Sequence, residues 1–141
     1  MPTEIAPEVI AAYRAADYRI ITGTAAFSIR VGAHSPPLDE LHLRYKVESS
    51  AVITACNPYG ELRPQDENDA ATEKLERSVA AQGLSFLLAV GEDPLGLWPE
   101  ERSVLVLGIA LVTAVELGNQ ARQNAIVWTG VDARPQLILL R

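Results

Sequence analysis

Cysteine is all but missing: Cys56 is the only one in 141 residues. A lone thiol closes no intramolecular disulfide and supplies no zinc set, so stability has to come from an apolar core. Histidine is nearly as scarce. His34 and His42 stand apart, with no Asp-His or Cys-His grouping beside them; this offers no local metal site and reads both as surface or loop residues. Basic residues number 12 against 18 acidic ones, a formal charge of −6. That is the wrong sign for a protein that neutralises phosphates along a nucleic acid. Ten of the 12 are arginine, a compositional bias that carries no function. Long apolar runs are absent too. The longest, Val104 to Val115, stops at Glu116, short of the roughly 20 residues a membrane-crossing helix needs. Met1-Pro2-Thr3-Glu4 has neither the basic region nor the apolar stretch of a secretory signal. Together these absences predict a cytoplasmic protein with no metal or other cofactor, no nucleic-acid partner and no membrane partner, working as a monomer or homodimer.

What is present is an ordinary globular composition, 48% apolar and 21% charged, in a length that suits one domain over residues 1–141 burying about 70% of its unfolded surface. Pro7 starts a short helix to about Ala16 through Ile10 and Tyr13. Tyr18–Ile21 and Ala26–Val31 flank Gly23-Thr24 as a hairpin, with Phe27, Ile29 and Val31 alternating with polar residues. Ser35 before Pro36-Pro37 caps a helix with Leu38, Leu41 and Tyr45 on one side and His42 on its flank. Ser50–Cys56 is an interior strand ended by the turn Asn57-Pro58-Tyr59-Gly60. Asp66–Gln82 repeats Ala71, Leu75 and Val79 at helical spacing and is closed by Gly83. Leu84–Val90 and Ser103–Leu107 are strands joined by an acidic, proline-flanked loop, Gly91 to Glu101, long enough to imply a job or an anchor. Leu111, Val115, Gly118 and Ala121 make a helix, weakened locally by its glycine, and Ala125–Thr129 and Gln136–Leu140 close the chain as a second hairpin. The fold class predicted is α+β: a mixed, mainly antiparallel sheet of about seven short strands with about four helices packed on it. Two hairpins demand antiparallel pairing, while the strand-helix-strand segment from Ser50 to Val90 permits a parallel crossover.

Familiar catalytic motifs are missing: there is no G-x-S-x-G elbow, no phosphate-binding glycine loop ending in Lys-Ser or Lys-Thr, no G-x-G-x-x-G and no H-E-x-x-H. Between Gly91 and Gly96, Glu92 and Asp93 put negative charge where a phosphate would lie. Candidate site residues are therefore polar groups at element ends, where loops converge on a ligand. These are Asn57 after a strand, Asn68 near a helix start, Trp98 in the acidic loop, Gln123 after a helix, and Arg30 as an anion partner. Glu101, just ahead of a strand, is the candidate catalytic residue, a general base acting on water. Five of the six have a plainer reading: local backbone bonding for Asn57, helix capping for Asn68, indole burial for Trp98, satisfaction of helix-end carbonyls for Gln123, and capping or a surface ion pair for Glu101. Cys56, with no base nearby in sequence, reads as a small buried side chain.

Ile53-Thr54-Ala55-Cys56-Asn57-Pro58, Glu67-Asn68, Trp98-Pro99 with Glu101 and Ser103, Leu105-Val106-Leu107-Gly108 and Gln123 to Trp128 resemble the bacterial family called domain of unknown function 3293. Tyr13-Arg14, Tyr18 and Ile29-Arg30-Val31-Gly32 extend the resemblance over nearly the whole chain. Members of that family often carry tryptophan where this chain has Cys56, which speaks against a thiol mechanism. The resemblance implies a small stand-alone cytoplasmic domain and brings no substrate, cofactor or catalytic residue.

Two functions compete. One is a pocket for a small polar ligand, a nucleoside or amide-bearing metabolite, with hydrolysis as its chemistry if it is an enzyme. The other is a protein-interaction or regulatory module that docks its partner on the acidic loop or on a sheet edge such as the apolar Leu137–Leu140 strand, without catalytic activity. Convergence of Asn57, Trp98, Glu101 and Gln123 on one cavity would favour the first.

Overall fold

The structure, a computed structural model, describes residues 3–96 and 98–141; Met1 and Pro2 of the leader reading and Leu97 of the acidic loop lie outside the described residues. In chain order the elements are α1 (Pro7–Ala15), β1 (Asp17–Thr22), β2 (Ala25–Ile29), α2 (Pro36–Tyr45), β3 (Ser50–Thr54), α3 (Gln65–Ala81), β4 (Phe86–Glu92), β5 (Glu101–Leu107), α4 (Leu111–Gln120), β6 (Ala125–Thr129) and β7 (Gln136–Leu139). The fold is α+β. One sheet runs β2-β1-β4-β5-β3-β6-β7, and every pairing among the described residues is antiparallel. The crossover expected from Ser50 to Val90 is present as β3-α3-β4, yet β3 and β4 do not pair. β5 returns between them, antiparallel to both, so the parallel contact the segment permitted is replaced by two antiparallel ladders.

Strand alternation divides the apolar residues between two faces. Ala51, Ile53, Val104, Val106 and Ile126 pack with Leu75 and Val79 of α3 and Ala114 and Leu117 of α4. Ile20, Val52, Leu105, Leu107 and Val127 pack with Leu38 and Leu41 of α2. On this first face the seam between α4 and β6 is closely filled. An added Cβ at Gly118 would stand 2.7 Å from both Ile126 Cγ2 and Leu140 Cδ1, so the glycine that lowers helix propensity is what lets α4 approach the sheet.

On the second face the strands change character along their length. The facing residues of β5 are Leu107 and Leu105, then Ser103 and Glu101; their cross-strand partners on β3 pass from Val52 to Thr54. On β4 and β1 the Ser103 row continues to Ala89 and Ile20, and the Glu101 row to Gly91 and Tyr18. The aliphatic end lies under α2. Ser35 caps that helix, its Oγ accepting from the Leu38 N–H at 3.2 Å. Its buried residues are Leu38, Leu41 and His42, while Tyr45 is exposed. His42 therefore departs from the surface position expected of it. The buried Ser50 hydroxyl, 2.8 Å from its Nε2, supplies the partner that makes the burial tolerable. Burial pushes the His42 pKa down, against the opposing pull of Asp39. His34 is exposed.

Candidate functional site

Where the aliphatic rows give out, a cavity of about 200 Å³ opens between the sheet and α1. Val9 and Tyr13 of α1 lie on one side of it and Tyr18, Thr54, Ser103 and Glu101 of the sheet on the other; Asn57, Trp98 and Gln123 complete the polar part of its lining. None of the residues of α1 is fully buried. The helix is held instead by polar contacts: the Tyr13 hydroxyl accepts from Asn124 Nδ2 at 3.1 Å, and the Tyr18 hydroxyl donates to the Tyr13 carbonyl at 3.2 Å. Ahead of it, Glu4 pairs with Arg141, whose guanidinium lies 4.4 Å above the Tyr59 ring and also donates to Asn124 Oδ1.

Asn57 organises the polar wall. Its backbone is left-handed, φ 48° and ψ 64°, a conformation asparagine adopts more readily than most residues. Its Oδ1 accepts from the Arg63 N–H at 2.9 Å and from Asn68 Nδ2 at 3.0 Å. A backbone N–H can only donate, so the amide orientation is fixed and Nδ2 is the atom turned to Glu101, donating to Oε2 at 2.9 Å. Asn68 Oδ1 in turn accepts from the Asn57 N–H at 2.9 Å.

Glu101 opens β5 opposite Gly91 and is partly buried. Burial raises its pKa above the ordinary carboxylate value, and the Asn57 hydrogen bond opposes the rise. Among the described residues no cation pairs with it. Burial also raises the Tyr13 and Tyr18 pKa values, with Glu101 adding to both, so both phenols stay protonated through the neutral range. The rings of Tyr13 and Trp98 stand 6.5 Å apart at 59°, within the range of a tilted aromatic pair.

Four of the six residues singled out from sequence, Asn57, Trp98, Glu101 and Gln123, line this one cavity. Two do not. Asn68 lies inside α3, where it caps nothing and stands behind Asn57. Arg30 follows the edge strand β2 and pairs with Asp17, where it is exposed. The local carboxylate across the hairpin captures it, so it is removed from the role of anion partner in the pocket. Gln123 donates to the Cys56 and Ala121 carbonyls at 3.1 and 3.2 Å, which satisfies the helix end and fixes its amide at the cavity. Cys56 is buried, its Sγ against the Arg102 carbonyl and Thr72 Oγ1 at 3.5 and 3.8 Å.

A family model described as protein of unknown function (DUF3293) matches residues 53–126, more than half of the chain. The chain belongs to this family. No curated protein and no solved structure matches it. The matched span of this DUF3293 protein holds Asn57, Asn68, Trp98, Glu101 and Gln123 and leaves out Arg30. It also leaves out Tyr13 and Tyr18, two cavity residues that residue type alone did not mark. Their signal was available in part: two tyrosines bracket the end of a short helix whose apolar face is too thin to bury them both. Among the described residues no group of three His, Cys, Asp or Glu side chains is placed to hold a metal ion, and no helix is long and apolar enough to cross a membrane. The DUF3293 cavity offers an unneutralised carboxylate, two phenol walls, an indole and fixed amides. Such a set can orient a planar polar group and exchange a proton with it.

Proposed function

We propose that this DUF3293 protein binds a small polar ligand beneath α1, with Glu101 as the group that acts on it. The observation that carries the proposal is the state of Glu101: inside a cavity, held by an oriented amide, with no ion-pair partner among the described residues and its pKa raised. A partly buried carboxylate left unneutralised costs stability, and sites that exchange protons are where such costs concentrate. A cavity of about 200 Å³ exceeds the roughly 150 Å³ that takes up benzene. It suits one ring or planar amide; a nucleoside would seat its base inside and its sugar at the mouth. Trp98 and Tyr13 provide aromatic surface for that group, and Glu101 Oε1 an acceptor. In the hydrolytic form of the proposal, Glu101 takes a proton from water as the water oxygen attacks carbon. The carbon–nitrogen bond then breaks, and the proton passes to the departing nitrogen.

Benzamide, a single-ring amide, is a suitable probe. Titration followed by amide NMR should give saturable shifts at Tyr13, Gly91 and Trp98. Trp98→Ala should weaken binding about fivefold or more, and Glu101→Gln should retain the fold. Absence of saturable shifts at these residues, together with no small molecule carried by the freshly purified protein in native mass spectrometry, would overturn the proposal. The alternative of an interaction module rests on β7, which is a sheet edge. A dimer that Ile138→Lys dissociates would favour it.

A further inference from the structure

A second and larger cavity, about 510 Å³, lies on the other face of the sheet between α3, α4 and the Pro58 turn. Leu75 of α3, Leu117 of α4 and Ala55 are its buried apolar residues, with Ala71 and Ala121 beside them. Its charged lining is Arg63, Lys74 and Arg122 against one carboxylate, Glu67. In a chain with 18 acidic and 12 basic residues, this groove reverses the sign of the whole. Arg63 is paired with Glu61. Lys74 and Arg122 have no ion-pair partner among the described residues.

Arg122 adds a second observation. It stands just past α4 with φ 55°, in the left-handed position after a helix that glycine or asparagine ordinarily fills. Its carbonyl accepts the Tyr59 N–H at 2.8 Å, so the backbone there is fixed whatever side chain it carries. An arginine lining the groove in a position suited to a smaller residue is a cost that no side-chain hydrogen bond or ion pair among the described residues returns.

We propose that this groove binds an amphipathic organic anion: a carboxylate or phosphomonoester held by Lys74 and Arg122, on an apolar body that covers Leu75 and Leu117. Apolar surface lined by charge of one sign is chemistry found in small-molecule sites, and the volume falls within their range.

Four probes separate the parts of the proposal: phenyl phosphate, benzoate, benzyl alcohol and inorganic phosphate, each titrated into the intact protein and followed by amide NMR. One or both aromatic anions should bind saturably, with shifts in α3 and residues 117–122, and the tighter of the two names the acid. Benzyl alcohol and inorganic phosphate should each bind about tenfold more weakly or not at all. Lys74→Gln and Arg122→Asn should each weaken the anion about tenfold. Arg122→Asn places a residue suited to the left-handed backbone, so its melting temperature should hold or rise; Glu101→Gln should leave the affinity unchanged. The proposal is overturned if neither anion saturates at millimolar concentration, if benzyl alcohol or inorganic phosphate binds as tightly as the aromatic anions, or if the two charge variants bind like the parent chain.

Discussion

Two proline-started helices, α1 and α2, lie over the same face of the same strands, and they are held in opposite ways. α2 buries Leu38, Leu41 and His42 over aliphatic rows and has a side-chain cap. α1 buries none of its residues, lacks a side-chain cap, and is fastened by Tyr13, Tyr18, Asn124 and the Glu4–Arg141 pair around an open cavity. The strands explain the difference: from Leu105 to Glu101 on β5 and from Val52 to Thr54 on β3, the face loses the side chains a helix could pack against. Where the sheet turns polar, burial gives way to hydrogen bonds, and space remains.

The largest effect should come from breaking the packed end. Leu38→Ala removes a fully buried side chain and should cost about 2–5 kcal/mol in urea unfolding, while Val9→Ala in α1 should cost less than about 1 kcal/mol. Equal losses would erase the contrast between the helices. A somewhat smaller effect belongs to the tight seam between α4 and the opposite face: Gly118→Ala should destabilise by about 1–3 kcal/mol despite its better helix propensity, because Ile126 and Leu140 occupy the space its methyl needs. Next, Asn68→Ala leaves the buried Asn57 N–H without its acceptor and should cost about 1–3 kcal/mol at the open end; a loss confined to α3, with Glu101 shifts unchanged by NMR, would uncouple Asn68 from the site.

The smallest effects are in pH dependence, and they differ in sign between the two ends. His42 has a folded pKa below its ordinary 6.5, so its contribution is fully present above that value and is lost as pH falls from 6.5 toward the folded pKa. Glu101 has a folded pKa above its ordinary 4.5, so its contribution is fully present below 4.5 and is lost as pH rises from there through the folded pKa. Glu101→Gln should remove that loss and be at least as stable as the parent chain at neutral pH. His42→Gln should flatten the acid side of the profile. Chemical denaturation across pH 4 to 8 checks both, and a Glu101→Gln variant that is less stable than the parent at neutral pH would contradict the assignment.

Local periodicity carried most of the elements. Leu75 and Val79 marked α3, and Phe27 with Ile29 marked β2, because each pattern repeats within one element. The order of strands was not legible: placing β5 between β3 and β4 depends on pairing across residues distant in sequence. The site divides the same way. Ser103 alternates in step with Leu105 and Leu107, so its face was readable from the strand alone, whereas Glu101 reads as the end of the acidic loop and only pairing with Gly91 draws it into β5. Arg30 was misplaced because nothing local distinguishes an edge strand facing Asp17 from one facing a pocket. Asn68 suited a helix cap by residue type, and only the folded turn brings it to Asn57. His42 looked like a flank residue until Ser50, from the following strand, came to meet it.

The insertion of β5 between β3 and β4 also bears on how the chain acquires its shape. The central ladder joins residues as far apart as Ser50 and Leu107, and β3 has no strand beside it until β5 or β6 arrives. The β1–β2 hairpin and its pairing with β4 can form earlier, since neither needs β5. A chain growing from its N-terminus therefore carries β3 as an unpaired apolar segment until the sequence through Leu107 is available. Contacts of such long range make folding slow relative to hairpin formation. Fragments ending before β5 should consequently expose Val52 and Ile53 and aggregate, whatever the helical content of α3.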